Sequence, residues 1–508
     1  MKPQQLSNNA DPPASASEHP ACSLRVNLPA LGVIVLAIAS SVVLTLGGCA
    51  NSAGIASTAQ TLEPARVGLD AAAAAAAASS AVAPAVAADW WRSFGDPALT
   101  GLVERALADN PSLKVVQARR ARAEAAVSGA RAADGPQLNG SFDVTRQRFS
   151  ATSIYPPPLG GSIRTLGTAQ IGGAWELDFF GRNRAAIDAA VGTQRAAQAE
   201  VQAARNLLAS NVARTYVQLG RLFAQRELAQ RSLAQRDEIL ALIRQRVQGG
   251  LDTTVEQRQG EAALPESRQQ IEALDEQIAL TRHALCALTV QAPNGLDTLV
   301  VPLRSVQAVP LPAAVPADLL GRRADIAAAR WRIEAATGDI KNAKAQFYPN
   351  INLTAFIGLA SIGLDQLIKA GSEQYGVGPA IRLPIFDSGR LRANLSAKTA
   401  DLDAAIESYN GAVLEAVHDV ADQIASLRSI DRQQAEQVRA QAAAESTYDL
   451  STQRYKAGLG TYLTVLNAEA TVLAQRRQSA DLQARGLDAQ IALIRSLGGG
   501  YTNPGATS

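Results

Sequence analysis

The sequence predicts a mainly α-helical chain with a transmembrane β-barrel part and an internal two-fold repeat. Three observations carry this. Aromatics make up only 4% of the 508 residues, while Ala, Gln, Arg and Leu fill most of the second half, a mixture that favours long helices meeting at narrow seams. Four short stretches abandon the helical period for period-two alternation. The order of strand pair, long helix, glycine break and return helix then occurs twice, at an offset of about 208 residues.

The totals also exclude. A net charge of +2 against 19% charged residues offers no basic face to nucleic acid and no acidic tail to a cationic partner. Of the three cysteines, Cys22 and Cys49 lie in the N-terminal targeting region and Cys286 stands alone in a helical stretch, so neither a disulfide of the mature chain nor a metal site is indicated. His19, His283 and His418 have no triad or metal-ligand pattern beside them. An enzyme reading is left without a convergent acid, base or metal constellation.

At the N-terminus, LPALGVIVLAIASSVVLTLGGCA from Leu28 onward is apolar and ends in small residues and a cysteine. Two readings compete: a transmembrane anchor, since about 20 apolar residues span a bilayer, and a cleavable signal over 1–48. The ending Leu46-Gly47-Gly48-Cys49 resembles a bacterial lipobox, which implies that Cys49 is lipidated and becomes the mature N-terminus. Covalent lipid on Cys49 is then the only non-protein group, with no cofactor and no metal. Ala50 is not the aspartate associated with inner-membrane retention in enteric bacteria, so delivery to the outer membrane is implied. One acyl signal holds only marginally, and a second membrane attachment is expected. Residues 49–88, with the run AAAAAAAASSAVAPAVAA, are expected to be a lipid-anchored, low-complexity loose tether.

The first repeat, 89–291, opens with helical sequence and then a strand pair at about 138–149 and 169–180. Leu138, Gly140, Phe142 and Val144 alternate with polar Asn139, Ser141, Asp143 and Thr145, and Ile171, Trp175, Leu177 and Phe179 oppose Gln170, Glu176 and Asp178. The second repeat, 346–497, opens with a pair at about 350–360 and 376–386. There Ile351, Leu353, Ile357 and Leu359 oppose Asn350, Asn352 and Thr354, and Val377, Ile381, Leu383 and Ile385 oppose small residues and Arg382. Each strand has the length of a tilted bilayer crossing. Ordinary soluble hairpins packed on helices would show the same alternation. If the strands are in a membrane, closure decides the assembly, because an open edge cannot sit in hydrocarbon and four strands are too few to close. Two copies would give eight strands and a filled interior; three give twelve and room for a water-filled lumen.

After each strand pair comes a helical hairpin: 182–291, running from Arg182 to Gln248 and back from Thr253, and 390–497, running to Lys456 and back from Thr461. The first run would extend roughly 100 Å. Residues 292–345 read as equatorial connector helices and 498–508 as a C-terminal tail. Leu177-Asp178-Phe179-Phe180-Gly181-Arg182 matches Leu383-Pro384-Ile385-Phe386 followed by Gly389-Arg390, and Gly250-Leu251 matches Gly458-Leu459. The glycine breaks Gly249-Gly250 and Gly458/Gly460 are expected to supply the backbone freedom that reverses the helix.

These residues resemble the TolC/OprM-type outer-membrane factors and, among them, the NodT-like efflux outer-membrane lipoproteins. The resemblance rests on the lipobox, WWRSFGDPALTGLVERAL, AWELDFFGRNRAA, LPIFDSGRLRANL, QFYPNIN and the two tips, and covers nearly all of the mature chain. It implies a homotrimer in the bacterial outer membrane: a twelve-stranded barrel continued by a periplasmic α-helical barrel, with an equatorial band drawn from segments near 89–133, 292–345 and the C-terminal end. It implies a passive exit duct for small toxic compounds, working with a periplasmic adaptor and an inner-membrane pump, commonly of the resistance-nodulation-division type, and doing no chemistry. Carried onto this sequence, the family pattern places Tyr455, Gly458, Leu463, Thr464 and Asn467 at the constricted periplasmic entrance, with Gly250-Leu251 and Gly458-Leu459 as adaptor-contact tips.

One departure stands out. Where related ducts carry an aspartate ring, this chain has Asn467, and Thr464 stands where some carry another. Three amides can hydrogen-bond without charge, so a throat less sensitive to divalent cations and pH is expected. The alternative is that Asn467 faces its own hairpin partner, and that Tyr455 and Leu463 are ordinary seam residues. Alternatives for the whole are the exit channel of a type I protein or peptide secretion system and a lipid-anchored envelope coiled coil without a pore, against which the four alternating strands stand.

Overall fold

The computed structural model describes residues 51–68, 86–152, 154–309 and 319–502. The proposed signal over 1–48, Cys49, most of the alanine-rich run and the tail beyond 502 lie outside the described residues.

Two short helices, α1 (Pro97–Asp109) and α2 (Pro111–Asp134), lead into strands β1 (Gln137–Arg148) and β2 (Ile163–Leu177). Helices α3 (Arg182–Gln248) and α4 (Thr254–Leu288) follow as a hairpin. The second half repeats the plan: α5 (Ala324–Ala345), β3 (Asn350–Ile362), β4 (Glu373–Arg382), α6 (Arg390–Lys456) and α7 (Tyr462–Ser496). Both outgoing helices have 67 residues and both return helices 35. A helix of 67 residues is about 100 Å long. Among the described residues no helix is long and apolar enough to cross a membrane.

The four strands form one antiparallel sheet in the order β1-β2-β3-β4, leaving β1 and β4 as open edges. Register puts Leu138, Phe142, Val144, Ile171, Trp175, Leu353, Ile357, Tyr375, Val377 and Ile381 on one face, and Asn139, Ser141, Asp143, Gln170, Glu176, Asn352, Thr354, Gln374 and Arg382 on the other. The apolar face is unusually exposed for large side chains, 76% at Leu138 and 83% at Tyr375. A sheet packed on helices in water would bury it; a sheet facing lipid would not.

Strand limits differ from the pattern reading. The β1–β2 ladder continues to Arg148↔Ile163, so β2 starts at Ile163 rather than at 169. Its end is set at Leu177 because Asp178 already serves the next helix, its Oδ2 accepting Arg184 N–H at 2.9 Å. Likewise β4 begins at Glu373 and stops at Arg382, short of Pro384, which has no N–H to give a ladder.

A buried cluster at mid-height joins both halves. Trp90, Phe94, Leu99 and Val103 pack on Tyr216, Leu219 and Leu222 of α3 and on Ile491 of α7. Asp96 caps α1, accepting Ala98 N–H at 2.9 Å, while its Oδ2 accepts from Tyr216 Oη and Ser305 Oγ, each at 2.9 Å. Burial, then the Asp96 bond, pushes the Tyr216 hydroxyl well above its ordinary pKa.

Two segments depart from expectation. Ala324–Ala345, read as part of an equatorial connector, lies along the strand-proximal ends of α3 and α6 and runs straight into β3. Small residues allow this approach: a Cβ on Gly338 would stand 2.8 Å from Ala189 N, and one on Gly192 2.8 Å from Ala335 N. Helix α2 is its counterpart, leading into β1 with Trp175 Nε1–H bonded to Asp134 O at 3.0 Å. Each repeat therefore begins with a lead-in helix. The first part of the tether is not loose either. Ser57 Oγ donates to Asp403 Oδ1 at 2.5 Å, Leu62 N–H to Asn410 Oδ1 at 2.7 Å, and Arg392 reaches the carbonyls of Asn51 and Ala53. This segment thus follows α6 from near the sheet toward mid-height, its backbone donors satisfied by polar side chains of the helix.

Candidate functional site at the helical tips

The two hairpins reverse by the same device. At the first, Gly250 N–H bonds to Val247 O at 3.0 Å and Leu251 N–H to Arg246 O at 2.8 Å; at the second, Gly458 N–H bonds to Tyr455 O at 3.0 Å and Leu459 N–H to Arg454 O at 2.8 Å. This pair of bonds needs a left-handed residue at the position after the cap. Gly250 (φ 71°) and Gly458 (φ 76°) supply it. Gly249 is right-handed (φ −79°) and Gly460 has no positive φ, so one glycine per tip bears the conformational requirement, not two. Leu251 (69% exposed) and Leu459 (70%) project at the two ends.

Behind the turns the two hairpins are cross-linked. Asp252, just past the first tip, receives Tyr455 Oη at 2.5 Å, Arg246 Nε at 2.8 Å and a second Arg246 nitrogen at 3.3 Å. The guanidinium also donates to Tyr455 O at 3.1 Å and lies 4.7 Å from the Tyr455 ring centroid. Tyr455 is 1% exposed and packs with Tyr462, Val465, Val472, Ile239 and Ile243. Burial works to raise the Asp252 pKa, but the bonds from Arg246 and Tyr455 and the adjacent positive charge outweigh it and hold the carboxyl below its ordinary value. Burial, then the bond to Asp252, pushes the Tyr455 hydroxyl above its ordinary value.

Farther from the tips, the seam between α3 and α7 continues as a polar ladder. Glu469, 3% exposed, accepts from Arg236 Nε at 2.8 Å and Ser232 Oγ at 3.2 Å, and Arg236 reaches on to Ala263 O and Ser267 Oγ of α4. Higher still come Gln225 to Asp481 at 2.8 Å and Arg214 to Asp488 at 2.6 Å.

The sequence-predicted residues separate into two groups. Tyr455 belongs to the buried lock. Leu463, Thr464 and Asn467 share the exposed face of α7, opposite Tyr462, Val465, Ala468 and Val472, so within the chain Asn467 does not face its hairpin partner. Thr464 Oγ1 lies 3.1 Å from Thr461 Oγ1. Sequence reasoning missed Arg246 and Asp252. For Asp252 the signal was a break in the repeat: at the offset of about 208 residues it falls opposite Gly460, and Tyr455 falls opposite Val247, whereas Arg246 is matched by Arg454 and carries no such signal.

Two long helical hairpins ending in cross-linked tips, joined to a four-stranded sheet with an exposed apolar face and two open edges, are the parts of a membrane channel component. Residues 102–289 and 315–499 match the outer membrane efflux protein family, and the chain belongs to that family. It is 36% identical over 420 residues to "Multidrug resistance outer membrane protein MdtQ" of Escherichia coli O6:H1, covering 81% of this chain and 88% of the relative. It is 38% identical over 318 residues to "Fusaric acid resistance protein FusA" of Burkholderia cepacia, covering 62% and 60%. Among solved structures, the outer membrane protein VceC of Vibrio cholerae superposes with a TM-score of 0.77 at 35% identity, covering 82% of this chain and 99% of that one. The location is accordingly the outer membrane, and the sheet-distal helices extend away from it.

Proposed function

We propose that the chain is one third of a passive, homotrimeric exit duct that carries small toxic compounds from an inner-membrane pump, through a periplasmic adaptor, to the cell exterior. The observation that carries this is the four-stranded sheet with an apolar outer face and two open edges. Such a sheet is stable in hydrocarbon only when its edges are paired, and three copies give twelve strands around a water-filled lumen. The helices point the same way. Helix α5 fills the seam between α3 and α6 of its own chain, whereas its counterpart α2 packs on α3 and leaves its other side exposed, as at Val115 (51%), for the next copy to cover. The names of the relatives, multidrug and fusaric acid resistance, support small compounds as cargo rather than secreted proteins.

In this reading the Arg246–Asp252–Tyr455 lock holds the second hairpin against the first, keeping the tube narrow at its end. Leu463, Thr464 and Asn467 line the constriction, and Leu251 and Leu459 with their glycines meet the adaptor. The pump, of the resistance-nodulation-division type, supplies the energy. Lipid on Cys49 anchors each chain; Asn51 beside Arg392 brings the tether to the sheet end of α6, where a membrane anchor must be. The test is the native mass of the protein extracted gently in detergent from outer membranes, with acyl content determined in the same run. A lipidated trimer is expected. A monomer released without detergent would overturn the proposal.

A further inference from the structure

Arg146 and Arg148 are two positions apart at the loop end of β1, and the unbroken register places both on the apolar outer face with Leu138, Phe142 and Val144. Both are exposed, and among the described residues neither has a hydrogen-bond or ion-pair partner. At about 3.4 Å per residue and a tilt of about 40°, they stand roughly 20–26 Å above Leu138 along the membrane normal, the upper limit of an apolar band about 25 Å tall. An unpaired arginine costs little at that level only if it meets an anion or water, and up to about 4 kcal/mol deeper in the bilayer. Among the described residues no carboxylate pairs with either arginine, and Asp365 of the β3–β4 loop accepts instead from Gln366. Between Asp143, which faces inward, and Glu176 there is no carboxylate, while Arg164 adds a third positive charge on the inner face. The outer-face carboxylate of the described strands is Glu373 on edge strand β4, which a closed barrel brings beside β1 of the next copy; within its own chain it accepts Gly371 N–H at 2.8 Å.

We propose that Arg146 and Arg148 form a binding site for the phosphate of an outer-leaflet lipid headgroup, a phosphorylated glycolipid being the chemistry that fits. Two guanidinium forks about 7 Å apart on one strand face can each engage phosphate oxygens bidentately, and the apolar strand below receives the acyl chains. The site sits on an edge strand, so a lipid held there also covers the joint between one copy and the next.

The test uses the purified full-length protein in phosphatidylcholine vesicles with or without bis-phosphorylated lipid A, or with its dephosphorylated form, and reads the thermal midpoint of assembly. A rise of a few degrees with the phosphorylated lipid alone is expected. It is lost in the double variant Arg146→Gln, Arg148→Gln and kept in Glu373→Gln. If the double variant fails to assemble in plain vesicles, Arg146→Lys with Arg148→Lys, which keeps both charges but loses the forks, must assemble and show a smaller rise. Equal rises in wild type and the double glutamine variant, a rise with inorganic phosphate alone, or an undiminished rise in the lysine pair overturns the site. Glu373→Gln lowering the midpoint as much as the double glutamine variant in every vesicle would assign the arginines to a pair between chains and overturn it equally.

Discussion

Asp252 accepts from two partners on two helices, so its removal leaves the Tyr455 hydroxyl and two Arg246 nitrogens without their acceptor, and Arg246 keeps its bond to Tyr455 O. Hydrogen bonds to a charged group contribute about 1.5–3 kcal/mol, and Tyr455→Phe removes one while Asp252→Asn also removes the charge that holds Arg246. Both variants are expected to assemble normally and to raise single-channel conductance in planar bilayers, Asp252→Asn the more; unchanged conductance in both would show that the cluster does not hold the entrance. The pH sign follows from the same carboxyl. Its folded pKa is depressed, so its contribution is fully present above the ordinary carboxylate value and is lost as pH falls through the folded one. The Tyr455 hydroxyl, raised, contributes below its ordinary value near 10 and loses that only in strong alkali. Conductance should therefore be flat from about pH 5 to 9 and rise in acid, and Asp252→Asn should abolish the acid rise. Asn467, on the exposed face of α7, supports a separate expectation: Asn467→Asp should create divalent-cation block that the wild type lacks. Equal block in both would remove the residue from the throat.

At the scale of elements, the helices were legible almost to the residue because their limits are written in chemistry. Gly181 and Gly389, both left-handed, precede the long helices, and Gly250 and Gly458 end them. An Ala at Gly458 must adopt a positive φ, at about 1–2 kcal/mol; lowered thermal stability of the tip, read by hydrogen exchange at Lys456 to Thr461, is expected, while Gly460→Ala should leave it unchanged. Lead-in helix α5 was less legible. Its buried side chains are mostly alanines and a glycine, which give no apolar stripe, and its partners lie far away in sequence on α3 and α6. The order of the tether over 51–62 was hidden for the same reason: its stabilising groups, Asp403 and Asn410, belong to a distant helix. The lock was half visible, since Tyr455 lay within a recognisable tip, whereas Asp252 acquires its role only when the two hairpins are brought side by side.

For the whole molecule, the equal lengths of the two hairpins acquire a meaning that no single element has. Each long helix starts beside the sheet and ends at a tip, so both serve as rulers cut to one measure, 67 residues out and 35 back. A rim assembled from such tips is level, and a flat partner can seat on all of them at once. Deleting seven residues, two turns or about 10 Å, from α3 alone would lower alternate points of that rim and slide Asp252 away from Tyr455. The same deletion made in α3 and α6 together, with matching cuts in α4 and α7, shortens the tube evenly. The paired deletion is expected to assemble and keep its tip contacts, and the single one to lose them, as cross-linking between cysteines placed at Asp252 and Tyr455 would report. Insertions and deletions in this chain are thus constrained to come in pairs: the duplicated architecture makes length a shared property of two distant segments.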